Sequence, residues 1–214
     1  MISINFRAKG PLHICSINQM NMNTPTFVLI NLLERQTQDC IRRAEALLQF
    51  PLAELMNRPT AESWNALECI EHLNRYGAFY LPEIRKRIAT STFQPTSMFK
   101  PGLLGNYFTK SMQPRQGMKK MKTFADKDPK HTNLDKQCLH TFIGQQQELL
   151  QLLTSAREVD LNRTKSSISI TKLLTLKLGD TFRFLIAHQE RHLVQAYAAI
   201  GATHPATVQA IAGV

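Results

Sequence analysis

LKLGDTFRFLIAHQERHLVQA, residues 176–196, sets apolar residues at helical intervals and places two histidines four apart among them. His188 and His192 share a stripe with Phe184, Leu185, Ala196 and Ala199. Residues i and i+4 lie one turn apart on the same helix face, so both imidazoles can converge on one point. Burying them costs desolvation unless their nitrogens find partners. A metal ion would satisfy several at once, although such a pair on its own is a weak signal. Asp180 after Gly179 suits an N-cap and Gly201 a stop, which predicts a helix from Asp180 to Gly201.

Working outward, three more long helices emerge. From Thr26, which is expected to cap it, a first helix carries Val28, Leu32, Cys40, Ala44, Leu47 and Leu48 on one face and ends near Phe50, before Pro51. A second begins at Asn65, where Asn65 and Glu68 read as a capping box. Ala66, Cys69, Ile70, Leu73, Tyr76, Gly77 and Tyr80 form its apolar face, and Pro82 is expected to kink or interrupt it before Ile88. The third runs from Asn133 to Ala156, with Leu134, Cys138, Phe142, Gln145, Leu149 and Leu152 inward. Asp160–Ser169 reads as an extended crossing, with Ile168 and Ile170 alternating against polar residues.

Between the second and third helices lies a long basic connector, about residues 91–130, in which Leu103–Met112 forms a short helix. The expected fold is therefore all-α, a four-helix bundle over residues 24–201 with one long crossover. Residues 1–23 are expected as a flexible leader and 202–214 as a loose tail or small docking helix.

The 214 residues are 43% hydrophobic and 20% charged, ordinary for a globular chain. No apolar run approaches the roughly 18–20 residues of a membrane span. Cys15, Cys40, Cys69 and Cys138 form no CxxC pair, and no signal peptide is evident, so reduced thiols in a cytoplasmic protein are expected. The net charge is +10, and eight basic residues from Lys100 to Lys130 against Asp126 and Asp128 supply +6 of it. Without a recognition-helix pattern, that segment reads as a solvated loop rather than a nucleic-acid surface, the further alternative being a cover over the pocket that attracts an acidic cosubstrate.

A third histidine, His72 in ECIEHLNRYG (68–77), sits on a comparable helical face, where the plainer reading is a core histidine bonded to a carbonyl. Cys69, three residues earlier, is either a fourth ligand or a small buried apolar residue. Glu68 is either an acceptor that orients His72 or only a cap. Trp64 is expected to pack at the bundle's end, with lining a pocket as the alternative. HQERH is not the zincin motif HExxH, because Gln189 stands where a glutamate base is required. Glu190 is rotated about 200° from His188 and faces away. His13, His131, His140 and His204 read as exposed.

ESWNALECIEHLNRYGAFYLPEI (62–84) resembles the second helix of the DinB-like family, with its Trp-Ser/Asn start and central His-Leu. Residues 176–196 resemble that family's last helix, with its H-x-x-R-H-x-x-Q ending, and the similarity spans roughly Thr24–Ile200. The resemblance implies a four-helix bundle, a homodimer, and a divalent metal ion (zinc or nickel) held by His72, His188 and His192. It implies either S-transfer with a low-molecular-weight thiol cosubstrate or metal-dependent hydrolysis. The alternative is a non-catalytic stress-response or binding module with a structural metal. The family name refers to DNA-damage induction and carries no implication of DNA binding.

Overall fold

The computed structural model describes residues 23–114, 123–169 and 171–202. All of the leader before Asn23, nearly all of the tail and Ile170 lie outside them, and with these His13, Cys15 and His204. Four long helices form the bundle: α1 (Thr26–Leu47), α3 (Ala66–Ala89), α5 (Gln137–Ser155) and α6 (Leu178–Ala199). A four-residue helix α2 (Leu52–Leu55) follows α1, and α4 (Leu103–Met112) lies in the connector. Both α1 and α3 pack against α5 and α6, so α1 and α3 lie on one diagonal of the bundle. No described helix is long and apolar enough to cross a membrane.

The all-α bundle and its long crossover agree with the sequence expectation, as do α4 and the α3 capping box. Asn65 Oδ1 accepts the Glu68 N–H at 2.8 Å, and Glu68 Oε2 accepts the Asn65 N–H at 3.0 Å. Several local details differ. Thr26 does not cap α1: its hydroxyl donates to the Thr96 carbonyl at 2.7 Å, tying the helix start to the segment after α3. That tie continues as a two-residue pairing of β1 (Thr24–Pro25) with β2 (Met98–Phe99). The apolar part of the buried face of α1 begins with Leu29, Ile30 and Leu33, leaving Val28 and Leu32 half-buried. On α5, Gln146 is buried in preference to Gln145.

Pro82 does not interrupt α3, which continues to Ala89. Pro82 and Ala78 are exposed, so the carbonyl that loses its bond meets water. Helix α5 starts at Gln137 rather than Asn133, and Asp135 Oδ1 accepts the Gln137 N–H at 2.8 Å. The extended crossing is half of an antiparallel hairpin, β3 (Lys165–Ile168) paired with β4 (Thr171–Lys177), with an irregular register after Ser167. Strand β4 runs straight into α6 at Leu178, so Asp180 lies within the first turn and is no N-cap.

The core divides into two apolar clusters. One holds Leu29, Ile30, Leu33, Tyr76, Tyr80, Leu149 and Phe182; the other holds Cys40, Ala44, Ile70, Leu73, Phe142 and Leu193. Along the helices the boundary falls at Thr37 on α1, Gln146 on α5 and His188–His192 on α6, all buried. A polar layer thus separates the two apolar clusters, and the histidines belong to it.

Glu68 does more than cap. Its carboxylate takes two 2.6 Å bonds from Arg58 and one of 3.0 Å from the His131 N–H, so it joins α3 to the end of the connector. Glu68→Ala is expected to lower stability by about 2–4 kcal/mol, the sum of a lost cap and of charge-assisted bonds left unmade. Urea unfolding would check this, and a loss below about 0.5 kcal/mol, the scale of an ordinary surface substitution, would refute it.

Candidate metal centre

His72 comes from the second turn of α3, and His188 and His192 come from the middle of α6, which packs beside it. The structure brings all three together. Each is buried, and one ring nitrogen from each lies within 4.8 Å of the others. His72 Nε2 and His188 Nε2 are 3.2 Å apart. Two nitrogens each about 2.0–2.1 Å from a common ion would subtend about 100–106° at that separation, close to a tetrahedral angle. His188 Nδ1 and His192 Nδ1 are buried without hydrogen-bond partners. The donor set fits a divalent ion and does not select which one.

Burial holds the three imidazoles neutral. It pulls His72 down to about 4, against a smaller opposing effect of its bond to the Lys127 carbonyl. His188 and His192 fall well below the ordinary histidine value, first by burial and then by their neighbouring imidazoles. Their lone pairs are therefore available at neutral pH without a proton first having to leave.

The orientation of His72 comes from the connector. Its Nδ1 lies 2.8 Å from the Lys127 carbonyl, an acceptor that leaves Nε2 to face the other two rings. Lys127 ends a short 3-10 turn, Ala125–Lys127, which α3 holds in place. Arg75 donates to the Asp128 carbonyl at 2.8 Å, and Trp64 Nε1 donates to Asp128 Oδ1 at 3.2 Å. Glu68 does not orient His72, because its oxygens are committed to Arg58, Asn65 and His131.

Cys69 does not join the group. It lies in the second apolar cluster, where burial pushes its thiol far up, so the thiolate a metal needs is disfavoured. Among the described residues Cys40, Cys69 and Cys138 are free and buried. Glu190 faces α1, as its rotation predicts: its carboxylate accepts from Gln36 at 3.1 Å, and burial raises it to about 7. His131 and His140 are exposed.

A cavity of about 890 Å³ opens on the imidazoles. Trp64 lines it, with its ring 4.8 Å from that of His72 and 5.7 Å from that of His192, so it is a wall of the pocket and not only end packing. Tyr76 stands on the other side, 4.5 Å from the His188 ring and 8% exposed, and burial pushes its phenol up to about 12. Phe108 and Met112 of α4 also line the cavity, as do Phe124 and Asp128, so both described parts of the connector reach it. The sequence left open a carbonyl partner for His72 but could not name Lys127, because a carbonyl has no side-chain signature.

A family model described as the DinB superfamily matches residues 32–196, most of the chain. No curated protein and no solved structure matches it.

Proposed function

This chain belongs to the DinB superfamily, and from that membership we propose a divalent-metal-dependent S-transferase that uses a low-molecular-weight thiol as cosubstrate. His72, His188 and His192 hold one zinc or nickel ion. The observation that carries this reading is the meeting of three buried neutral imidazoles at the wall of a large cavity, with no fourth ligating side chain among the described residues. A structural metal site is normally closed by four protein ligands, and Cys69, the residue that could have closed this one, is packed elsewhere.

Bound there, a divalent ion supplies positive charge that three neutral ligands leave uncompensated, and so favours the anionic form of a thiol or water beside it. The chain's own residues do the positioning. The Lys127 carbonyl holds the His72 ring, while Trp64 and Tyr76 fix the imidazoles from either side. Gln195, Arg191 and Lys130 line the part of the cavity near His192 and offer polar contacts to the body of a thiol. Hydrolysis could use the same centre with water in place of the thiol. Location in the cytoplasm, expected from the thiols, and a homodimer, implied by the family, complete the proposal.

Equilibrium dialysis of untagged protein against zinc and nickel tests the core of it, with about one ion per chain expected; less than about 0.2 would overturn it. Turnover of an electrophile that requires added thiol separates S-transfer from hydrolysis.

A further inference from the structure

The imidazoles divide the cavity into two compartments of opposite character. Three ring pairs fix the level of α3 against α6: Trp64 lies beside His192, Tyr76 beside His188, and Tyr80 beside Phe184 at 5.9 Å. The lining's charged residues are Glu62, Asp128, Lys130 and Arg191. Arg191 follows His188 by almost one turn, and Glu62, Asp128 and Lys130 gather round Trp64: Lys130 Nζ is 3.0 Å from Glu62, and Asp128 bonds the indole. All four therefore belong to the His192 side. Beyond His188 in the other direction, the lining includes Tyr76, Tyr80, Phe108, Ile168, Leu176 and Phe184. Phe184 stacks on His188 with ring centroids 5.8 Å apart, and Phe108 meets Phe184 at 6.1 Å.

No carboxylate, ammonium or guanidinium lines this second compartment among the described residues. Its one deep hydroxyl is already engaged, because Tyr80 Oη accepts the Ser169 N–H at 3.2 Å and lies 3.4 Å from Ser169 Oγ. The Tyr76 hydroxyl has no hydrogen-bond partner among the described residues, and Tyr76 stands where the compartment meets the imidazoles. An ion placed in the compartment would lose its hydration without replacement, whereas an apolar body would leave water favourably.

We propose that this aromatic compartment binds the second substrate, an uncharged molecule with an aromatic or branched-alkyl body and one polar end that meets Tyr76 and the imidazoles. The inference rests on the metal-centre reading for its catalytic meaning, and assigns the electrophile to one side of the histidines and the thiol to the other. Pockets of this size and lining commonly bury most of a small ligand's surface.

The test uses the full chain, with and without zinc, titrated with the neutral fluorescent probe N-phenyl-1-naphthylamine. Saturation at about one probe per chain is expected, with displacement by neutral 2-naphthol at least about tenfold better than by naphthalene-2-sulfonate. Phe108→Glu, at a half-buried position of α4, should weaken the probe at least about tenfold while zinc stoichiometry stays the same. The competition experiment needs no variant and stands if Phe108→Glu fails to fold. Binding that never saturates, equal displacement by the sulfonate, or an unchanged affinity in folded Phe108→Glu would each overturn the proposal. Zinc stoichiometry is read on the same samples. Probe bound without any zinc uptake defeats the metal reading alone, and zinc bound without probe defeats the compartment alone.

Discussion

His188→Ala is expected to weaken zinc binding by roughly 10²–10³-fold. Structural zinc sites bind with about 10–16 kcal/mol over four ligands, so one imidazole contributes on the order of 3–4 kcal/mol. The loss should be similar for His72→Ala and His192→Ala, because each ring supplies a nitrogen to the same point. Stability provides an independent reading. An ion present at about 100 times its dissociation constant adds about 2.7 kcal/mol to the folded state, and a chelator removes that increment. Chelation should therefore lower the melting temperature of the wild-type chain and leave His188→Ala unmoved. A chelator shift that survives His188→Ala would mean that the stabilising ion sits elsewhere. The exposed His140 serves as the control, since His140→Ala should change neither reading.

The second large effect is on the scaffold. Asp180 and Arg183 are buried at the start of α6 and bonded at 2.7 Å. Asp180 also accepts the Gly102 N–H at 2.8 Å, and Arg183 reaches Asn106 Oδ1 at 3.1 Å. Gly105 packs so closely on Asp180 that a Cβ there would overlap its carboxyl. The pair thus seats α4, the wall that carries Phe108, on α6. Burial raises the Asp180 carboxyl and lowers Arg183, so desolvation outweighs what each charge gains from the other. Such a pair adds little over apolar residues, yet losing one partner strands the other. Asp180→Asn is accordingly expected to cost about 3–5 kcal/mol, a fall of roughly 6–20 °C in melting temperature for a chain this size. Asp180→Leu combined with Arg183→Leu should recover much of that loss. A single substitution costing less than about 1 kcal/mol would show that the charge is hydrated rather than stranded.

Much of this was readable from the residues because the relevant interactions are local. Helical periodicity located the four long helices, and the Asn65–Glu68 box fixed the start of α3 because both its bonds lie within three residues. Four-residue spacing put His188 and His192 on one face, and the resemblance paired them with His72. The errors fell where a residue's obvious local role was displaced by a distant partner. Thr26 and Asp180 are good capping residues, but Thr26 bonds a carbonyl 70 positions away and Asp180 an N–H 78 positions away. Alternation over Asp160–Ser169 revealed an extended strand but not the partner that makes it a hairpin.

What the residues determined alone, then, is the set of amphipathic helices and the chemistry available on each face, since period and capping act within a few residues of chain. Tertiary structure decided which faces meet. It set the Lys127 carbonyl against His72 across 55 residues, turned Trp64 into a pocket wall, packed Cys69 away from the three histidines, and gathered aromatic side chains on one side of them. The physical reason is that backbone acceptors and cavity walls arise from distant segments brought together by packing, and neither leaves a periodic mark in the segments that form it.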